Sequence, residues 1–311
     1  MLTPPIFSKS HPYKLLRGDV AFWWPYVREA LNRHDLLDAT KTAVGGHNST
    51  NPVFVYDGVA VKLFGEFHAW HEAYTAELAA HTLVNTDPHI ATPALLAHGT
   101  LFDDNEASWP YLITPIMPGR PWWDAETSEE QDLTIAFEVG CQIKKVHALP
   151  ITDAPKYEDW PSPDILYGAE YSVLPEHLIP QIDDFLKRTG PPDNVFLHGD
   201  LVDNHVYVKD GQFVGLIDWG DSLVMDRHYE LSKLYLSGFN ANKDLLKAFL
   251  NGSDWPMADD FAHRCMAMAL HRQAMGLVQH FGFDTFYELP NLMDLNQFAT
   301  LDELAEALFT V

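Results

Sequence analysis

Apolar positions are spaced differently in successive parts of the chain. From about Asp19 to Ala39, Trp23, Tyr26, Val27, Ala30 and Leu31 recur at helical spacing and predict a helix with one apolar face. Gly45-Gly46-His47-Asn48-Ser49-Thr50-Asn51 is rich in turn formers and predicts a loop. Val53–Tyr56 and Val59–Phe64 are β-branched and aromatic runs around Asp57-Gly58, which predicts a tight hairpin. A helix is expected from about Glu66 to Val84, loop plus strand over Pro88–His98, and an apolar strand over Tyr111–Met117 ending at Pro118-Gly119. After Gly119 the helical period dominates. Ser128 to His147 is opened by Thr127 and Ser128 with Glu130 and Gln131 as a capping signature. A Pro- and aromatic-rich connection (Pro150 to Pro163), a helix over Pro180–Arg188 and a β segment from Val195 to Asp218 follow. The stretch from about Tyr229 to Val311 is mostly helical and includes Asp259–His280. Its last helix opens on Thr300-Leu301-Asp302-Glu303, a second capping-box pattern. The pattern predicts an α+β chain with a small β-rich lobe over residues 1–117, an apolar hinge near 113–119 and a larger, mainly helical lobe over 118–311.

Length and composition fit that plan. At 311 residues the chain is long enough for two lobes, and 47% apolar with 21% charged residues is ordinary for a globular protein. The formal net charge of −24 disfavours nucleic acid and anionic membrane surfaces as partners. Residues 116–311 hold 32 of the 44 acidic side chains but 13 of the 20 basic ones. A cationic small molecule handled by the second lobe would fit, but a plain solvated acidic surface is the preferred reading. Cys141 and Cys265 lie far apart, match no metal spacing and predict a reducing compartment. No signal-peptide pattern or membrane-spanning apolar run is seen, so a cytoplasmic protein is expected.

The candidate chemistry is concentrated in one segment. Asp210-Gly211 predicts a two-residue hairpin turn. Pairing Lys209 with Gln212 sets Val208 opposite Phe213, Tyr207 opposite Val214, Val206 opposite Gly215 and His205 opposite Leu216. His205 and Asp218 then meet at the open end, and Asp200 lies on the loop entering it. Oxygen and nitrogen donors so gathered suit phosphoryl transfer, which needs metal ions on the phosphates and a carboxylate orienting the attacking hydroxyl.

His198-Gly199-Asp200, followed by Ile217-Asp218-Trp219-Gly220, resembles the signature of the aminoglycoside phosphotransferase family. These are small-molecule kinases of protein-kinase-like fold, similar also to choline and fructosamine kinases. The resemblance covers about residues 40–235. It implies ATP or GTP with Mg2+ as cofactors and a small-molecule acceptor. His198 and Asp200 would open the catalytic loop with Asp200 as base, and Asp218 would be the main magnesium ligand. His205 stands where most members carry Asn, which bears on the choice of metal; a shift by one would offer Asn204, pointing the other way along the strand. Gly45 and Gly46 would belong to the loop over the phosphates. Lys62, in Val59-Ala60-Val61-Lys62-Leu63-Phe64, would contact the α- and β-phosphates. Glu77 is favoured over Glu72 as its partner. The hinge backbone around Thr114, Ile116 and Met117 would meet the base. The absence of Arg after His198, of an Ala-Pro-Glu segment and of a Gly-x-x-x-x-Gly-Lys-Ser/Thr loop separates the chain from protein kinases and Walker ATPases.

Other residues carry plainer expectations. Asp226 is expected to cap the following helix, with Asp221 as a possible substrate-facing acid. Trp122, Trp123 and Asp124, with Trp160, Tyr167 and Trp255, are acceptor-site candidates or core fillers. His147, His263, His271, Met266, Met268 and Met275 are expected in packing or surface roles, and His68 and His71 form no zinc motif. A non-catalytic nucleotide-binding scaffold and a protein-directed phosphotransferase are the alternatives to a small-molecule kinase.

Overall fold

The computed structural model describes residues 2–8, 12–38, 40–46, 49–66, 69–103, 107–153, 164–278 and 285–311. His47, Asn48, His68, Trp160 and His280 lie outside the described residues. A short helix, α1 (Tyr13–Leu16), leads into α2 (Val20–Asn32). Asp19 caps α2 by accepting the Phe22 N–H, and the predicted apolar face is buried. The helix stops before the apolar spacing does, because Asp35 turns left-handed at φ +56°. An antiparallel sheet follows: β1 (Val44–Gly45), β2 (Val53–Tyr56), β3 (Val59–Leu63), β4 (Ala97–Thr100) and β5 (Pro110–Pro115), in the order β1-β2-β3-β5-β4. Asp57 and Gly58 both have positive φ, as a two-residue hairpin turn requires. Helix α3 (Trp70–Val84) lies between β3 and β4 in the chain.

The remaining elements are β6 (Arg120–Pro121), α4 (Glu129–His147), α5 (Ile165–Glu170), α6 (Ile182–Lys187), β7 (Asn194–Leu197), β8 (Val206–Lys209), β9 (Gln212–Leu216), β10 (Leu223–Asp226), α7 (Tyr229–Lys233), α8 (Lys243–Ser253), α9 (Phe261–Val278), α10 (Leu289–Leu292) and α11 (Leu301–Phe309). Ser128 and Gln131 complete a capping box on α4. On α11 the reciprocal arm lands one residue early. Thr300 accepts the Glu303 N–H, but Glu303 accepts from Ala299 rather than from Thr300.

Two apolar clusters hold the fold. One joins Trp23, Val27, Phe54, Val61, Trp109 and Ile113. The other joins Ile135, Ile143, Phe196, Trp219, Phe249 and Leu308, and takes in Ala80, Leu83 and Val84 of α3. Each buried Val, Leu, Ile or Phe contributes roughly 1.5–3 kcal/mol. Among the described residues no helix is long and apolar enough to cross a membrane.

The β8–β9 hairpin corrects one expectation. Lys209 pairs with Gln212 and Val208 with Phe213 around Asp210-Gly211, but Tyr207 then opposes Gly215 and Val206 opposes Leu216. A β-bulge at Val214 inserts one residue into β9 and shifts the register by one. The Ile217 N–H therefore donates to the His205 carbonyl at 3.0 Å, and Leu216 does not face His205.

Candidate active site

The loop from β7 to β8 carries His198, Gly199, Asp200 and His205. Its shape depends on Gly199. With φ at +81°, a Cβ there would stand 2.0 Å from the Asp221 carbonyl oxygen. The loop is also pinned from behind by Glu230 on α7, which is 1% exposed. Its two oxygens accept the His198 N–H at 2.8 Å and the Gly199 N–H at 3.1 Å.

His198 is fully buried, with its Nε2 2.9 Å from the Ile217 carbonyl and its ring against Trp219. Burial holds its imidazole below the usual histidine range. The side chain thus ties the loop to the hairpin and faces away from solvent. Trp219 in turn donates its indole N–H to Thr92 at 2.9 Å.

Asp200, His205 and Asp218 converge. His205 Nδ1 lies 2.7 Å from the Asp200 backbone carbonyl and 3.7 Å from its Oδ2, while Nε2 lies 3.5 Å from Asp218 Oδ2. A carbonyl can only accept, so Nδ1 carries the proton and Nε2 is turned toward Asp218. Asn204 is exposed, so the geometry offers His205 and not its neighbour. Asp218 itself is left-handed at φ +64°. Its Oδ1 accepts from Lys62 at 2.9 Å, and Lys62 also bonds Glu77 at 2.6 Å. Glu77, and not Glu72, is therefore the partner of Lys62. Burial would lower Lys62, but Asp218 and Glu77 outweigh it and hold the ammonium above the usual lysine range. Burial pushes Glu77 up to about 7 against the pull of Lys62. Burial also works against Asp218, yet Lys62 and His205 hold it below the usual carboxylate range.

Asp200 meets two further cations. Lys233 at the end of α7 lies 2.9 Å and Arg272 on α9 lies 3.2 Å from Oδ1. Burial raises the Asp200 carboxyl, but Lys233, His205 and Arg272 together hold it below the usual range. Nearby Asp221 is pushed up to about 6 by burial and by Asp200, against Arg272.

The nucleotide-side expectations fall unevenly. Gly45 pairs with Phe54 in the sheet, and the Gly46 N–H donates to the Val53 carbonyl at 2.8 Å. A Cβ on Gly46 would meet Val53 Cγ1 at 2.9 Å, so close strand approach accounts for that glycine. Neither has positive φ. Thr114 pairs with Ala60, and the Ile116 N–H donates to the Gly58 carbonyl at 2.9 Å. Both hinge positions thus spend backbone groups on the β3 side. Strand alternation turns the Pro115 carbonyl to the other edge.

As metal ligands the residues fit in part. Asp218 Oδ2 and His205 Nε2 form a two-donor face, and no group of three or more His, Cys, Asp or Glu suited to a metal exists among the described residues. A divalent ion there would draw its other ligands from phosphates and water.

The remaining candidates scatter. Asp226 is not itself the N-cap of α7, a position held by His228, whose side chain makes no capping bond. Asp226 instead accepts the His228 ring and backbone N–H, the Asp193 N–H and Arg264. Trp122 is buried on Asp132 and Trp255 is buried beside His147, whereas Trp123 and Tyr167 are exposed. Glu230, one of two acids noted after Asp218-Trp219-Gly220, pins the 198–200 loop. Lys233 and Arg272 were not anticipated. Their sequence signal is weak: Lys233 precedes the apolar Leu234-Tyr235-Leu236, whereas Arg272 stands between His271 and Gln273.

An α+β fold that brings these groups together points to one class of protein. The chain belongs to the phosphotransferase enzyme family, whose model matches residues 57–267. It is 43% identical over 53 residues to an aminoglycoside 3'-phosphotransferase of Enterococcus faecalis, a match covering 17% of this chain and 20% of that one. The match thus spans about a fifth of that relative. The fold is similar to that of an aminoglycoside 2'-phosphotransferase solved as its GDP complex, with a TM-score of 0.64, 15% identity and coverage of 83% and 91% of the two chains. It is also similar to a microcompartment-associated aminopropanol kinase, with a TM-score of 0.61, 14% identity and coverage of 83% and 89%.

Proposed function

We propose that the chain is an ATP- or GTP-dependent kinase that phosphorylates a hydroxyl of a small molecule, an aminoglycoside-like amino sugar or a choline-like amino alcohol. The observation that carries this reading is the meeting of Asp200, His205 and Asp218 beside the Lys62–Glu77 ion pair. Residues 1–117 bind the nucleotide, with Lys62 on its phosphates, Gly45 and Gly46 at the edge of the same sheet and Met117 near the base. Residues 118–311 take the acceptor. Asp218 and His205 Nε2 hold Mg2+, which when bound neutralises charge developing on the phosphates. Asp200 orients the acceptor hydroxyl and takes its proton. The acidic surplus of residues 116–311, with the exposed rings of Trp123, Tyr167 and Tyr171, supports a cationic acceptor. The family match and the similarity to aminoglycoside phosphotransferases support a small-molecule enzyme over a scaffold.

Thermal unfolding with ATP, GTP or ADP, each with Mg2+, Mn2+ or neither, tests the nucleotide site. A ligand at a hundred times its Kd stabilises by about 2.7 kcal/mol, a shift of about 4 °C at this length. A metal-dependent shift lost in Asp218→Ala is expected, followed by label transfer from nucleotide to kanamycin or choline that falls in kcat in Asp200→Ala. Absence of any nucleotide shift would refute the reading.

A further inference from the structure

The two oxygens of Asp200 are treated differently. Oδ1 receives Lys233 Nζ at 2.9 Å and Arg272 Nη2 at 3.2 Å. Oδ2 faces His205 Nδ1 at 3.7 Å, and that nitrogen already donates to the Asp200 backbone carbonyl at 2.7 Å. Both cations come from helices outside the loop. Lys233 ends α7, and Arg272 sits within α9, only 5% exposed. The other arm of Arg272, Nη1, donates to the Tyr229 hydroxyl at 3.1 Å. The planar guanidinium reaches the two partners from two separate nitrogens, a fork that a single ammonium nitrogen does not reproduce. Two cations beside one oxygen repel each other, and the nearby Asp221 offsets that repulsion.

We propose that Lys233 and Arg272 are positioning residues for phosphoryl transfer: by holding Oδ1 from two helices, they present Oδ2 to the attacking hydroxyl. The inference rests on the kinase reading above. In the step, the hydroxyl oxygen forms the new bond to the γ-phosphorus. The bond from that phosphorus to its bridging oxygen breaks, the nucleoside diphosphate leaves with the electron pair, and the hydroxyl proton passes to Oδ2. Lys233 and Arg272 stay on Oδ1 and act through Asp200.

Water serves as the acceptor in the test, so the natural acceptor need not be known. Phosphate release from ATP and from GTP, with Mg2+, gives kcat and nucleotide KM for wild type, Lys233→Met, Lys233→Arg, Arg272→Lys, Asp200→Asn and Asp200→Asn with Lys233→Met. Melting temperatures separate folding defects from kinetic ones. Lys233→Met is expected to lower kcat about 10- to 100-fold with KM held within about twofold, a share of the effect of a positioned proton acceptor. Lys233→Arg restores most of the loss. Arg272→Lys keeps the charge but loses the fork, and it lowers kcat without a comparable loss of melting temperature. In the Asp200→Asn background, Lys233→Met has no further effect, because the residue it acts through is gone. Wild-type kcat in Lys233→Met, a change in KM alone, or losses that multiply in the double variant would each overturn the proposal. A wild-type protein that neither binds nor hydrolyses nucleotide refutes the kinase reading and the inference with it, whereas active wild type with unaffected variants refutes the inference alone.

Discussion

Truncating Glu230 asks how far the 198–200 loop depends on one buried carboxyl. Its oxygens accept the His198 and Gly199 N–H groups at 2.8 and 3.1 Å, and it is 1% exposed. Glu230→Ala leaves both N–H groups buried without that acceptor. Each such orphan costs about 1–3 kcal/mol, so the pair costs roughly 2–6 kcal/mol. Glu230→Gln keeps one acceptor and turns an amide NH2 toward the other N–H, for about half that loss. Unfolding entropy of ~2.1 cal/mol/K per residue over 311 residues gives about 0.65 kcal/mol/K, so 1 kcal/mol moves Tm by about 1.5 °C. Calorimetric melts should therefore fall by roughly 3–9 °C for Glu230→Ala and by about half as much for Glu230→Gln. Metal-dependent nucleotide hydrolysis at 25 °C should fall in the same order, because Asp200 lies one residue beyond the pinned peptides. An alanine variant melting within about 1 °C of wild type, or a glutamine variant worse than alanine, would refute the reasoning.

Three shorter predictions follow from other contacts. Gly199→Ala adds a left-handed penalty of roughly 1–2 kcal/mol to a Cβ placed 2.0 Å from the Asp221 carbonyl, and a melt lowered by several degrees with loss of hydrolysis is expected. Burial raises Asp226, but the His228 ring and backbone N–H and the Asp193 N–H hold it at about 2. A depressed carboxylate stabilises above its unfolded value of 3.8 and loses that contribution as pH falls through about 2. Melts between pH 5 and 2 should show an acid limb worth about 2 kcal/mol, flattened in Asp226→Asn. Thr92→Val removes the acceptor of the buried Trp219 indole N–H; a loss of about 1–3 kcal/mol and a shifted Trp219 emission are expected, both restored in Thr92→Ser.

Most elements were legible because their signals are local. Ser128 and Gln131 sit one turn apart, and Asp57-Gly58 and Asp210-Gly211 supply the positive φ angles their turns need. The grouping of Asp200, His205 and Asp218 was legible for the same reason, since one hairpin carries all three. Its register was not, because the bulge at Val214 is signalled only by Gly215 beside it, and a glycine in a strand does not fix where the extra residue falls. The Lys62–Glu77 pair could be anticipated from a strand followed by a helix, whereas the hinge required the sheet itself, which consumes the Thr114 and Ile116 backbone groups. Glu230 and Arg272 reach the loop across 32 and 72 residues, so only the packing of α7 and α9 brings them there. Charge shows the gap most clearly. The second part of the chain is strongly acidic, and that surplus points toward a cationic acceptor. Yet two of its 13 basic side chains stand on the single carboxylate oxygen Oδ1 of Asp200. Net charge describes the field seen by an approaching molecule, while the group beside the reacting hydroxyl sees Lys233 and Arg272 within hydrogen-bond distance of its partner. On the kinase reading proposed above, a cationic acceptor would therefore carry its ammonium groups away from the hydroxyl that reacts.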